Sequence, residues 1–209
     1  MHKQILELTE DYVRAIIASK IPPKIYHNLA HTEDVVNSSI EIGVGEHLAS
    51  DELELIQIAA WFHDLGYFEK QAGHERISVV YARNFLLDNH YYADKIEKIA
   101  GCILSTNFPQ KPHNKLEEII CDADLSYLGR RSFFERNDLF RNELEHYSNS
   151  KLSEIEWLTK TINFLNQHHF FTDYALKNFN SQKEKNISVL KEQLEKSQFN
   201  PNNIYPNQR

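Results

Sequence analysis

The sequence predicts an all-α, single-domain protein, and three observations carry that expectation. Apolar residues recur at steps of three and four along most of the chain, the period of a helix with one buried face. Glycine and proline are scarce, six of each in 209 residues, which leaves too few breaks for the frequent turns of a sandwich or barrel. No segment of useful length alternates apolar and polar residues as a half-buried strand does.

Taken in order, Ile5, Leu8, Tyr12, Ala15 and Ile16 form one stripe of a first helix, which Pro22 and Pro23 end. A second helix is expected over about 25–42, closed by Gly43 and Gly45. Ser50 or Asp51 then caps a third, whose Leu53, Leu55, Ile56, Ile58, Ala59, Ala60, Trp61 and Phe62 leave little polar face. A helix apolar all round is a central, buried one. Gly66 breaks or ends it. A fourth helix starts near His74 and carries Ile77, Val80, Tyr81, Phe85 and Leu86, and a fifth shows Ile96, Ile99, Ala100, Ile103 and Leu104. Pro109 and Pro112 make 107–114 a loop. Further helices are expected at about 116–128, 131–147, 152–165 and 174–194. The helical domain thus spans 1–198, and 199–209, with Pro201 and Pro206, is expected to be a flexible tail.

Acidic residues outnumber basic ones, 30 to 23, for a net charge of −7. That balance argues against broad nucleic-acid binding, which recruits clustered Lys and Arg. No stretch approaches the length of uncharged apolar sequence that spans a membrane, and the first residues lack the apolar core of a secretion signal. Cys102 and Cys121 are too few for a disulfide framework and lack the spacing of a metal knuckle. A reduced, cytoplasmic protein without membrane association is the expectation.

Three short segments carry more than packing. In Trp61-Phe62-His63-Asp64, an imidazole and a carboxylate follow the most apolar helix. Burial there is costly unless both groups are satisfied. A divalent cation satisfies both at once; a solvated or capping role at a helix end is the alternative. In Tyr26-His27-Asn28-Leu29-Ala30-His31, two histidines stand at i and i+4, the spacing that offers two imidazoles to one metal on one helix face. A hydrogen-bonded or solvated pair would show the same spacing. In Cys121-Asp122-Ala123-Asp124-Leu125, two carboxylates interrupt an apolar stretch and point about 200° apart on a helix, so at most one faces a given site.

The order His, then His-Asp, then Asp, on an all-helical chain, resembles the HD superfamily of metal-dependent phosphohydrolases. Tyr26-His27-Asn28…His31, Trp61-Phe62-His63-Asp64, His74-Glu75…Ser78, Asp122-Ala123-Asp124-Leu125 and Arg141-Asn142-Glu143 look like its small, stand-alone bacterial branch, over roughly residues 24–147. The resemblance implies that His31, His63, Asp64 and Asp124 ligate a metal. It prefers Asp124 to Asp122 because the family aspartate closes an Ala-Asp pair before Leu or Arg. It further implies that His27 and Asn28 flank the site and that His74 faces substrate or supports a ligand. Arg141 would contact a substrate phosphate. Segment 103–107 has no histidine where a second metal would want one, which points to a single ion.

Two His and two Asp suit Mn, Fe, Co, Ni or Zn and do not select sharply among them. Such an ion activates water at neutral pH and offsets charge on a phosphoryl oxygen. Asp64 is the first candidate to accept the water proton, with Glu75 the second; either could instead be a charge at a helix N-terminus. The resulting expectation is hydrolysis of a phosphate ester or anhydride of a small molecule, a nucleotide foremost. The alternative is a non-catalytic module that senses a metal or a nucleotide. Glycine-rich phosphate loops and a nucleophile elbow are both absent from the sequence.

Overall fold

The computed structural model describes residues 2–20, 25–148 and 150–199. Among them nine α-helices follow one another: α1 (His2–Lys20), α2 (Leu29–Gly45), α3 (Ser50–Phe62), α4 (His74–Asp88), α5 (Ala93–Ser105), α6 (Lys115–Asp124), α7 (Phe133–Ser148), α8 (Glu154–Gln167) and α9 (Asp173–Gln198). Two 3-10 turns, Leu65–Phe68 and Ser126–Gly129, complete the regular structure of these residues. The Pro22-Pro23 stop and the tail from 200 onward lie outside the described residues. No described helix is long and apolar enough to cross a membrane.

Helix α3 occupies the middle, packed against α1, α2, α4, α5 and α6. Its composition requires this, because Ile56, Ile58, Ala59, Ala60 and Phe62 are all fully buried. Each Ile or Phe so covered is worth about 1.5–3 kcal/mol, and the two alanines let neighbouring backbones approach. The C-terminal end of α3 therefore lies inside the protein, and the chain delivers His63 and Asp64 to the interior.

Three local differences from the sequence expectation bear on the placement of the polar residues. Helix α2 begins at Leu29 rather than near 25, because Asn28 adopts an extended backbone and its side chain accepts the His31 amide as an N-cap. His27 is thus outside the helix, and the shared-face argument for His27 and His31 does not hold. Helix α3 is capped at Ala49, where the Glu52 carboxylate accepts the Ala49 amide at 3.1 Å, so Ser50 and Asp51 fall within its first turn. Helix α6 stops at Asp124 and gives way to the Ser126–Gly129 turn. Gly129 permits that turn to lie against α9, since a Cβ there would meet Phe179 at 2.5 Å.

Gly66 has a comparable task. A Cβ at Gly66 would sit 2.4 Å from the His74 carbonyl, and its amide donates to Ser78 Oγ at 2.9 Å. The turn after Asp64 is thereby pressed onto the start of α4, which returns His74 and Glu75 over Asp64. A second apolar cluster, built from α8, α9 and the residues before and at the start of α7, includes Leu128, Phe133, Leu158, Leu165 and Leu190. Phe140 of α7 and Phe164 of α8 join residues of the first group of helices in lining one cavity.

Candidate metal centre

Helices α2 and α6 and the segment ending α3 bring His31, His63, Asp64 and Asp124 together, with one ligand atom from each lying within 4.8 Å of the others. Asp64 Oδ2 is 3.0 Å from His63 Nε2 and 3.2 Å from His31 Nε2. Asp124 Oδ1 is 3.5 Å from His31 Nε2 and 3.6 Å from His63 Nε2. These are four residues from three distant parts of the chain, and all but Asp124 are buried.

The local structure fixes which atoms face inward. His63 Nδ1 donates to the Ala60 carbonyl at 2.7 Å, so its Nε2 is the free ring nitrogen turned to the cluster, the usual support for a ligating imidazole. Burial alone would push the His31 and His63 pKa values down, but the facing Asp64 and Asp124 carboxylates outweigh it and raise both. Burial likewise opposes the two carboxylates, and the imidazoles hold both below the usual range.

A divalent cation fits these residues. Asp64 Oδ2 is buried and aligned for a hydrogen bond with none of its neighbours, although two ring nitrogens crowd it. Two imidazoles and two carboxylates crowded together in a buried site need a cation or shared protons to be satisfied, and a metal ion among the four atoms would meet all of them at once. The donor set of two nitrogens and two oxygens suits a transition ion. His31, His63, Asp64 and Asp124 are the residues that would hold it.

Beside the cluster is a cavity of about 350 Å³ whose wall includes Asp64, Asp124, His27, His74 and Glu75. His74 Nε2 donates to Asp64 Oδ1 at 3.0 Å and its Nδ1 donates to the Gln71 carbonyl at 2.7 Å. Burial lowers the His74 pKa, but these acceptors prevail and bring it to about 9. Glu75 is 5% exposed, with Oε1 3.7 Å from His74 Nε2 and Oε2 unpaired.

His27 reaches the site from outside the helix. Its Nδ1 donates to Glu143 Oε1 at 2.5 Å, its amide donates to Glu143 Oε2 at 2.9 Å, and its Nε2 lies 3.8 Å from Asp64 Oδ2. Tyr67 stacks on the His27 ring with centroids 3.8 Å apart and donates to Glu143 Oε1 at 2.6 Å. Glu143 is fully buried, yet these donors keep its carboxyl below the usual range against the opposing effect of burial. The sequence alone assigned Glu143 no role. Its signal was an acid three residues after Phe140, on the same side of α7.

Asn28, expected to flank the site, and Arg141, expected on a substrate phosphate, do not line the cavity. Asn28 spends its amide on the backbone, accepting from His31 N at 3.0 Å and donating to the Ile25 carbonyl at 2.5 Å. Arg141 donates to Glu145 Oε1 at 3.1 Å, to Glu154 Oε2 at 2.5 Å and to the Leu152 carbonyl at 2.7 Å. Residues two apart on a helix point about 200° apart, so with Glu143 turned inward Arg141 faces the start of α8. Asp122 is similarly turned away from Asp124. It accepts the Phe171 amide, the Thr172 amide and the Thr172 hydroxyl at 2.9, 2.8 and 2.7 Å, anchoring the start of α9.

No family model and no curated protein matches the sequence. Solved structures do match the fold. A predicted HD superfamily hydrolase from an uncultured Thermotogales bacterium is 18% identical, with a TM-score of 0.62 over 91% of each chain. Bacillus subtilis YpgQ in complex with ADP is 17% identical, with a TM-score of 0.67 over 94% of this chain and 96% of that one. A further YpgQ structure aligns equally well, at a TM-score of 0.67. The chain shares the all-helical fold of these structures.

Proposed function

We propose that the protein is a metal-dependent phosphohydrolase acting on a phosphate ester or anhydride of a small molecule, a nucleotide foremost. The observation that carries this reading is the His31, His63, Asp64 and Asp124 cluster, with a buried, unpaired Asp64 oxygen at the edge of a cavity. The fold, shared with a predicted hydrolase of the HD superfamily, supports hydrolysis. The ADP complex of YpgQ supports a nucleotide.

A divalent ion bound by these residues supplies an activated water and charge neutralisation at phosphorus. The protein's own groups supply the rest. In the reaction one P–O bond forms to the water oxygen, the P–O bond to the leaving group breaks, and the water proton ends on the leaving oxygen. Asp64 and Glu75 are the carboxylates placed to handle that proton. Asp64, placed among the four clustered ligands, chiefly orients. Glu75 Oε2 has no partner and takes the proton. His74 fixes Asp64 through Oδ1, and His27, held by Glu143, stands on the other side of Asp64.

A metal-by-substrate screen tests the proposal. Purified protein loaded in turn with Mn, Fe, Co, Ni and Zn is assayed on phosphomonoesters, nucleotides and cyclic dinucleotides, beside His63→Ala and Asp64→Ala. Release of phosphate or pyrophosphate by the parent alone is the expected outcome. Metal binding without turnover of any compound would favour the sensor reading.

A further inference from the structure

Among the described residues, the buried side-chain polar atoms aligned with no partner belong to Thr9, Tyr26, Asp64, Glu75, Thr161 and His168. Tyr26, Asp64 and Glu75 all line the cavity beside the metal cluster. Buried polar groups in folded proteins are nearly always hydrogen-bonded, and each exception needs a reason. Orphans that gather on one wall share a reason, because the missing partners belong to whatever occupies the cavity. A cation accounts for Asp64 Oδ2, and the attacking water for Glu75 Oε2. The Tyr26 hydroxyl is left over.

Tyr26 is also of the opposite kind. Asp64 and Glu75 offer acceptors, whereas a phenol offers an O–H donor. The residue is 4% exposed, and rings enclose it. Their centroids lie 4.5 Å away for His31, 5.0 Å for His27, 5.3 Å for Tyr127 and 5.4 Å for Phe140. The Tyr127 phenol is close enough for the Tyr26 hydroxyl to temper its pKa, which burial raises, but Tyr26 Oη is aligned for a hydrogen bond with no neighbour. Burial, with Tyr127, Asp124 and Asp64 adding repulsion, holds the Tyr26 pKa well above its usual value. The hydroxyl therefore keeps its proton and stays a donor, beside the metal ligand His31 and within electrostatic reach of Asp64 and Asp124.

Resting on the hydrolase reading above, we propose that Tyr26 is a substrate-binding donor, whose hydroxyl hydrogen-bonds a phosphoryl oxygen of the molecule held at the metal cluster. It selects ligands that present an acceptor oxygen there. The hydroxyl holds its proton throughout, and the proton gained by the leaving oxygen still comes from the water. A donor fixed in place by four surrounding rings needs no reorganisation as charge shifts among the phosphoryl oxygens.

The test is Tyr26→Phe, which removes the hydroxyl and keeps the ring. Loss of a hydroxyl without a partner in the protein is neutral or stabilising, so the thermal midpoint of the chelated protein should hold or rise. The metal-loaded variant should bind inorganic phosphate and ADP more weakly by about ten- to hundredfold, the scale of one hydrogen bond to a charged group, with metal content unchanged. For any compound the parent turns over, kcat/KM should fall by at least that factor. Thr9→Val is the control. It removes another orphan hydroxyl, fully buried and outside the cavity, and should leave both affinities as they were. A lower midpoint in Tyr26→Phe would show the hydroxyl already bonded to a neighbour such as Tyr127 and overturn the inference. Loss of metal in that variant, unchanged affinity for both probes, or no binding of either by the parent would overturn it too. Weaker binding by the variant, with no turnover by the parent, would keep the donor and sink the hydrolase.

Discussion

The Nε2 atoms of His31 and His63 face each other at 3.4 Å, with the unpaired Oδ2 of Asp64 beside them. Two imidazole lone pairs turned together in a buried site repel unless a proton or a metal ion lies between them. A bound ion stabilises the fold by mass action, by about 2.7 kcal/mol when its concentration is a hundred times Kd. Chelation should therefore lower the thermal midpoint of the parent protein, and reloading should restore it. In His63→Ala the midpoint should not respond to either treatment. Equal metal content in the parent and this variant would sink the site.

Glu75 offers a separation between holding a metal and doing chemistry. Its Oε2 is buried and unpaired, and Glu75 is not among the four clustered ligands. Glu75→Gln should lower kcat by about 10²–10⁴-fold, the usual contribution of a positioned acid or base, with metal content unchanged. Metal loss in parallel with activity would make Glu75 a ligand instead.

Glu143 and His27 should act as a unit, because His27 Nδ1 and its amide both reach the same carboxylate. Removing a charge-assisted buried hydrogen bond costs about 1.5–3 kcal/mol, and Glu143→Gln should show a stability loss of that order. Its effect on kcat should largely vanish in a His27→Ala background, since groups that act together are non-additive. Fully additive losses in the double variant would separate the two residues.

His168 makes acid stability predictable. It is 6% exposed and neither ring nitrogen has a partner. Burial, with Lys183 and His169 adding repulsion, lowers its pKa from the usual 6.5 to about 3. Above pH 6.5 both folded and unfolded chains keep it neutral. As pH falls below that value the unfolded chain takes up a proton that the folded one refuses, and stability drops until about pH 3. The contribution is about 1.4 kcal/mol per pH unit in that window. Denaturant titrations of the parent and His168→Leu between pH 6 and 4 should diverge by this slope, and parallel curves would show His168 to be accommodated when charged.

Much of this architecture is legible in one dimension. The apolar run of α3 already points to a central helix, but whether His63 and Asp64 at its end are buried or solvated was left open by the sequence and decided by the helices packed around them. The 107–114 loop follows from Pro109 and Pro112, and the start of α4 at His74 from the apolar spacing that follows it. The choice between Asp122 and Asp124 was half visible. Helical spacing showed that they diverge, while the direction of each depended on where α9 and the metal cluster came to lie.

The sequence by itself determined the helical class, the buried α3 and the residue types able to hold a cation, because those depend on periodicity and side-chain chemistry within a few residues. Tertiary structure alone decided that His27 leans on Glu143, 116 residues away, and that Arg141 is committed to Glu145 and Glu154. Those outcomes depend on which helix faces meet across the fold, and a helix's pattern states that a face is buried without naming what it is buried against.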